Sequence, residues 1–492
     1  MSHPAIQCNF TRPPASSAVD ITAGHRMHIS LEAFILRKVA VWGYGQEGQA
    51  ALRFLRNLFP DKKIGVILTP SEAASWDFSH DPKIEVVAEE VQAGTFGPYQ
   101  IVIKSPGISP YHHTRAMEWA HFRGTRFISG TSMWFAQHRH DKTIVITGTK
   151  GKSTTSALTA ALLRASGART ALAGNIGVPL LDLMEPNPAP EYWVIEVSSY
   201  QAADFGGHPA IATVLNLSPE HLDWHGDEET YYRDKLKVVT GGTADLAVLN
   251  AADARLMAHA EGIERKTLFN HRGFWHARGA QVWHDEEHVI DLAETHLAGA
   301  HNASNVAAAF TMVEAFGLDP RSVLRAVREF KPLPHRLSHV GERDGTVYVD
   351  DSIATTPEAT MAALRSLAPR PTAVLVGGFD RGLDWGEFAR QVAAEPAAAV
   401  IAMGQNGPRI HAQVEEAVAA LPPDRRPRLK LVETLDDAVA AARTCVPPGG
   451  VVLLSPGAPS FDQFRDYAER GRAFTRAAGF EVRDQQIEGL GI

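Results

Sequence analysis

Short runs of apolar, often β-branched residues recur along the chain. Each is closed by a glycine- or proline-bearing turn and followed by a stretch suited to a helix. Early runs are Lys38–Trp42, Lys63–Leu68 and Gln100–Lys104; Thr143–Thr147, Tyr192–Val197, Ala212–Asn216 and Leu246–Leu249 follow. The last third repeats the pattern at Val347–Asp350, Ala373–Gly378, Ala399–Met403, Leu429–Val432 and Val451–Ser455. Runs without polar alternation, separated by helices, predict an α/β protein on mostly parallel sheets covered on both faces. At roughly 150 residues per domain, 492 residues make about three. Breaks near Asp141 and Pro332–Arg336 predict domains over 31–140, 141–333 and 334–492, after an extension over 1–30. The segment Arg265–Leu297 reads instead as irregular β structure.

One run carries the strongest chemical signal. Thr143–Thr147 leads into Gly148-Thr149-Lys150-Gly151-Lys152-Ser153-Thr154-Thr155, and an alanine- and leucine-rich helix follows to about Ala165. Such a turn makes a phosphate cradle: backbone N–H groups and the positive helix end face the anion, Lys152 adds a point charge, and Ser153 can hold Mg²⁺. The spacing is shorter than GxxxxGK[ST], since Ile146 stands where the first glycine would fall. The central domain is therefore predicted to be P-loop ATPase-like. Glu196 ends the strand Tyr192–Glu196, where a lone carboxylate is costly unless it meets a cation. His221 follows the next strand. A hard oxygen ligand with an imidazole suits Mg²⁺ or Mn²⁺ beside ATP phosphates better than structural zinc.

Lys38–Trp42 runs into Gly43-Tyr-Gly45-Gln-Glu-Gly48 and a helix, the GxGxxG fingerprint of a Rossmann-like domain. The acidic residue that would hold a dinucleotide ribose is missing, because Lys63–Leu68 runs into Thr69-Pro70. The turn thus fits another diphosphate ligand; a nicotinamide-dependent oxidoreductase is the rival reading, resting on the glycines alone. Ser105-Pro-Gly107-Ile-Ser-Pro110 follows the third run, at a strand's carboxyl end where open α/β sheets bind ligands. The last third reads as a second Rossmann-like domain. Its loops Asp350–Thr356, Gly377–Gly382 and Ser455–Phe464 carry small, polar and charged residues unlike those of simple connectors.

Charge and cysteine content narrow the partners. Lys and Arg number 48 against 56 Asp and Glu, so no basic excess argues for nucleic acid. The two cysteines, Cys8 and Cys445, form no metal or disulfide motif, which makes a reducing cytoplasm the expected compartment. No apolar run approaches the roughly 20 residues of a membrane span. The first thirty residues lack the apolar core of a signal peptide and read as a mobile extension. Met27, just before the first run, is a second candidate translation start.

Together these segments resemble the Mur ligases, ATP-dependent amide ligases of peptidoglycan precursor synthesis. The resemblance extends from about Lys38 to the C-terminal helix. It rests on the TGTxGKS loop, Gly174-Asn-Ile-Gly177, the Glu196 strand end, His221-Leu-Asp with Lys235, and His301-Asn-Ala-Ser-Asn305. Pro334-His-Arg336, Asp351-Ser-Ile-Ala-Thr355 and the closing Ser455-Pro-Gly-Ala-Pro-Ser460-Phe-Asp-Gln-Phe464…Tyr467…Arg470-Gly471 complete it. Val197-Ser-Ser-Tyr-Gln201 and the closing segment look most like the MurD type, which joins glutamate to UDP-N-acetylmuramoyl-L-alanine. The resemblance implies that Gln46, Glu47, Ser105 and Gly107 hold the UDP moiety, while Asn175 and His221 position the muramoyl-alanine. It implies that Gly148, Thr149, Lys150, Gly151, Lys152, Ser153 and Thr154 bind ATP phosphates, and that Asn305, Arg336 and Asp351 contact adenine and ribose. Ser153 and Glu196 would hold one Mg²⁺ and His221 a second, shared with Lys235 as a carbamylated lysine; Lys152, His221 and Lys235 form the implied catalytic set. Thr355, Arg381, Ser460 and Tyr467 fall where the incoming glutamate sits. A monomer that closes its third domain over the site is also implied.

Five positions depart from the commonest MurD pattern: Lys150, Ile353, Thr356, Arg381 and Tyr467 replace asparagine, lysine, asparagine, lysine and phenylalanine. Losing a cation at Ile353 and gaining a forked guanidinium at Arg381 changes how the glutamate carboxylates are held. Together the changes resemble a branch that adds L-glutamate. The alternative is the usual D-glutamate ligase, and folylpolyglutamate synthase is a remoter relative with less similar loops.

Overall fold

The first sheet has five parallel strands in the order Ile84–Ala88, Ile64–Leu68, Val39–Trp42, Ile101–Lys104, Arg126–Ile128. The computed structural model describes residues 32–482 except 177, 241, 242, 298, 332, 333, 381 and 396, so the extension over 1–30, Met27 and Arg381 lie outside the described residues. Strand order reverses between Val39–Trp42 and Ile101–Lys104, the point where such sheets open a crevice. The turn after the first strand is tight: Gly43 has φ +84°, and a Cβ on Gly48 would lie 2.1 Å from the Gly43 carbonyl oxygen. Ser105 Oγ donates to that same carbonyl at 3.0 Å, joining the two loops at the crevice.

The central sheet has six parallel strands in the order Lys266–Phe269, Leu246–Asn250, Ile211–Val214, Thr143–Thr147, Tyr192–Glu196, Thr170–Gly174. Thr143–Thr147 is wholly buried, as a strand covered on both faces must be. The segment expected to be irregular divides in two. Lys266–Phe269 joins the parallel sheet at its edge, and Trp275–Arg278, Gln281–His284 and Glu287–Asp291 form an antiparallel meander. The meander packs on the helix Ala300–Ala315, with Trp275 edge-on to Phe310 at 4.8 Å.

The first and central sheets share one apolar core, running from Phe34 and Val39 through Trp134 to Trp193 and Leu249. Trp134 and Trp193 meet edge-to-face at 4.7 Å in that seam. The third sheet runs Ser338–Arg343, Thr346–Asp350, Val451–Leu454, Thr372–Val376, Ala399–Ala402, Arg428–Leu431. Its strands are parallel except Ser338–Arg343, an antiparallel edge. Two apolar clusters cover its faces, and both are drawn from residues of the last third alone. Among the described residues, no helix is long and apolar enough to cross a membrane.

Candidate active site

Three adjacent strands of the central sheet deliver their carboxyl ends to one place. Thr143–Thr147 lies between Ile211–Val214 and Tyr192–Glu196, so the glycine loop, Glu196 and the segment leading to His221 converge there. Gly148 has φ +151° and Gly151 φ +85°. Gly151 caps the helix Lys152–Ala165, which presents its first turn, with buried Ser153 and Thr154, to the loop. The loop is braced from below. Thr149 donates its N–H to the Asn216 carbonyl at 3.0 Å, and its Oγ1 lies 2.9 Å from the Tyr231 hydroxyl. The Lys150 N–H donates to Asn216 Oδ1 at 2.8 Å, and Asn216 Nδ2 donates back to the Lys150 carbonyl at 3.0 Å.

Lys152 Nζ donates to the carbonyls of Gly148 and Thr149, both at 3.0 Å, and Lys235 Nζ donates to Gly148 at 3.0 Å. Burial pulls the Lys152 ammonium below its ordinary value against the opposing charges of Glu196 and Glu220. Lys235, 1% exposed, is pulled well below its ordinary value by burial and then by the Lys152 charge. Its Nζ lies 4.9 Å from the Tyr231 ring, one helical turn away. Glu196 is 1% exposed; Asn175 Nδ2 donates to its Oε1 at 2.6 Å, while its Oε2 is buried without a protein partner. The hydroxyl of Thr147, beneath the loop, is likewise buried without a partner. An unpaired carboxylate oxygen beside a phosphate loop is a donor set that fits a hard cation. Among the described residues, no group of three or more His, Cys, Asp or Glu is placed to hold a metal. A cation at Glu196 would complete its shell from phosphate and water, as Mg²⁺ does.

His221 lies beyond the strand end rather than at it. It adopts a left-handed conformation (φ 57°) at the start of the short helix Leu222–His225. Beside it stands Glu220, a residue absent from the sequence-based set. Glu220 Oε1 accepts from Lys150 Nζ at 2.6 Å. Burial alone would raise its carboxyl, but the charges of Lys150, His221 and Lys152 hold it below the usual range. Its position next to His221 was the available signal. Tyr231, on the same helix face as Lys235, is a further support of the loop outside the sequence-based set.

Asn305 reaches the loop, since a Cβ on Gly151 would lie 2.5 Å from its Oδ1. Its Nδ2 donates to Asn302 Oδ1 at 3.1 Å. Arg336 is close enough to lower the Lys152 ammonium, and its Nε is buried without a protein partner. Asp351 accepts from Ser455 Oγ at 2.7 Å and from the Leu337 N–H at 3.2 Å. Burial raises its carboxyl to about 6. Tyr467 begins the helix Tyr467–Ala477 and stands 40% exposed, within charge reach of Glu196 and Arg336. The third sheet therefore presents Arg336 and Tyr467 toward the phosphate loop. Ser460 is buried, its carbonyl accepting from the N–H groups of Gln463 and Phe464, and Thr355 is half-buried in the loop after Asp351.

The first-sheet residues form a separate group at their own crevice. Gln46 is exposed at the first turn of the helix Gln46–Leu58. Glu47 turns into the seam with the central sheet, where its Oε1 accepts from Gln201 Nε2 at 2.9 Å. Burial raises its carboxyl to about 7. The Gly107 carbonyl accepts from the Trp224 indole N–H at 3.0 Å.

Known proteins match this chain in sequence and in fold. The Mur ligase middle domain matches residues 146–313, and the "Mur ligase, glutamate ligase domain" matches 335–457. A UDP-N-acetylmuramoyl-L-alanine–L-glutamate ligase of Xanthomonas euvesicatoria pv. vesicatoria is 47% identical over 467 residues, spanning 93% of this chain and 98% of its own. A protein of the same name from Salinispora tropica is 37% identical over 462 residues, with 90% and 97% covered. In fold, a MurF crystal structure from Acinetobacter baumannii matches with TM-score 0.57 at 18% identity, covering 87% of this chain and 88% of its own. The MurC of Thermotoga maritima matches with TM-score 0.55 at 18% identity, covering 89% and 98%. With its phosphate loop, strand-end carboxylate and paired lysines set on that fold, the chain belongs to the Mur ligase family of ATP-dependent amide ligases.

Proposed function

We propose that the chain joins L-glutamate to UDP-N-acetylmuramoyl-L-alanine, with conversion of ATP to ADP and phosphate, in peptidoglycan precursor synthesis. The observation that carries the chemistry is Glu196, with one carboxylate oxygen held by Asn175 and the other buried and bare beside the lysine-bearing loop. L-glutamate is supported by relatives at 46–47% identity that are named as L-glutamate ligases, together with the departures at Ile353, Arg381 and Tyr467. A carboxylate is a poor acyl donor, so phosphorylation by ATP makes it an acyl phosphate. The glutamate amine then attacks, and the tetrahedral intermediate expels phosphate.

The residues of this chain act by position and charge. Lys152 neutralises the transferring phosphoryl group, and the N–H groups from Gly151 to Thr154 at the helix start cradle it, while those of Thr149 and Lys150 are held by Asn216. Ser153 and Glu196 would hold one Mg²⁺, and His221 with Lys235 a second. Such ions supply charge neutralisation and alignment. Lys235 can act as a metal ligand only once its cation is removed; its burial and depressed basicity favour the neutral amine from which a carbamate forms. Asn305, Arg336 and Asp351 are assigned to adenine and ribose, and Thr355, Arg381, Ser460 and Tyr467 to glutamate. Gln46, Glu47, Ser105, Gly107, Asn175 and His221 are assigned to the UDP-linked substrate. We assign the domains to 31–140, 141–333 and 334–492, and the working form to a cytoplasmic monomer.

Phosphate release with ATP, Mg²⁺ and UDP-N-acetylmuramoyl-L-alanine, comparing L- with D-glutamate, tests the reading. A preference for L supports it. A preference for D moves the chain to the usual MurD reaction, and release with neither overturns the acceptor assignment.

A further inference from the structure

A buried knot joins the first-sheet loop Gly107–Tyr111 to the segment that carries His221 and Lys235. Asp234 is 0% exposed and immediately precedes Lys235. The Tyr111 hydroxyl donates to its carboxylate, lying 2.8 Å from Oδ1 and 2.6 Å from Oδ2. His225 Nδ1 lies 2.8 Å from Oδ2, and Lys237 Nζ lies 3.1 Å from Oδ1. His225 is one turn past His221, whose carbonyl accepts its N–H at 3.1 Å. Trp224 ties the same turn to the loop: its indole N–H donates to the Gly107 carbonyl, and its own carbonyl accepts from Ser109 Oγ at 2.6 Å.

A carboxylate removed wholly from water is costly unless several donors meet it, and removing one donor leaves the charge uncompensated. Here the donors come from two domains, Tyr111 from the loop after Ile101–Lys104 and His225 and Lys237 from the helical segment after Ile211–Val214. The carboxylate links the His221 turn, the Lys235 helix and the loop after Ile101–Lys104. Surface packing would not need a buried charge at that junction.

We infer that Asp234 is a positioning residue that sets the separation of His221 and Lys235 and couples it to the Gly107–Tyr111 loop. The inference rests on the reading above, in which His221 and Lys235 share a metal and Gly107 faces the UDP moiety. Substrate held on the loop then steadies the metal ligands, although Asp234 touches neither.

Asp234→Asn and Tyr111→Phe in the full chain test this; the second keeps the ring and removes only the donor. Asp234→Asn should lower kcat about tenfold and raise the Mg²⁺ concentration for half-maximal rate about fivefold. Tyr111→Phe should raise both that concentration and the KM for the UDP substrate about threefold, leaving the KM for glutamate within about twofold. The double variant should be no worse than Asp234→Asn alone, as coupled residues behave. A merely structural role would reduce the active fraction without moving the Mg²⁺ requirement, and that result overturns the inference. Should the wild type release no phosphate, the activity reading fails by itself and hydrogen exchange without substrate carries the test. Tyr111→Phe should then speed exchange in both 105–112 and 228–236, and acceleration in one segment alone overturns the coupling.

Discussion

Lys152 and Lys235, one from the phosphate-loop helix and one from a helix far along the chain, donate to the same oxygen, the Gly148 carbonyl. Burial lowers the basicity of both lysines, and repulsion from the Lys152 charge lowers that of Lys235 further. An anion in the cradle relieves that repulsion. Replacing Lys152 by Ala should therefore reduce phosphate release by roughly 10²–10³-fold, the usual loss for one preorganised charge. Steady-state assays with all three substrates check it, and near-normal turnover would remove the loop from the chemistry.

Glu196→Gln keeps the shape and the contact with Asn175 but deletes the charge on the bare oxygen. The Mg²⁺ concentration for half-maximal activity should rise about tenfold, one ligand's worth of charge attraction. Titration of activity with Mg²⁺ at saturating ATP reads this directly. An unchanged Mg²⁺ requirement would assign the orphaned oxygen to something other than a metal.

The conformation of Gly151 disfavours any side chain. An alanine there sits at φ +85°, costing about 1–2 kcal/mol, and its Cβ displaces Asn305 Oδ1. Gly151→Ala should thus lower both thermal stability and ATP affinity. Calorimetric titration of the variant with ATP measures the second effect, and wild-type affinity would separate Asn305 from the nucleotide.

Glu47 makes the seam between the first two sheets sensitive to pH. Its carboxyl is raised from 4.5 to about 7 by burial. A raised folded-state value contributes stability that is fully present below the unfolded value and lost as pH rises through about 7. The loss by about pH 8.5 is of order 1–3 kcal/mol. Glu47→Gln should melt like wild type near pH 4 and above it near pH 8.5. Melting curves that stay parallel across that range would show that Glu47 does not titrate in the seam.

What the sequence reveals depends on how local each cause is. Thr143–Thr147 and the glycines after it are legible because strand, turn, lysine and helix are contiguous. Ile84–Ala88, Arg126–Ile128 and Ser338–Arg343 escape the apolar pattern because these edge strands are partly exposed, and Thr170–Gly174 because alanine and glycine replace the β-branched residues of its neighbours. Lys235 is recognisable by its distance from His221, but nothing local marks Asp234 as the partner of Tyr111. Glu220 is marked only by its place before His221, and its ion pair with Lys150 appears only in the fold. The approach of Arg336 and Tyr467 to the loop depends on how two sheets face each other, which no periodicity encodes.

The last sheet keeps both of its apolar clusters to itself, whereas the first two sheets are fused through Trp134 and Trp193. On the proposed assignment of glutamate to this last domain, its loops can change without disturbing the core beneath the phosphate loop, so long as Arg336 and Asp351 are kept for the nucleotide. A chain of this design can acquire a new amine substrate by altering loops of its last third while the phosphate-loop core and the nucleotide contacts stay fixed.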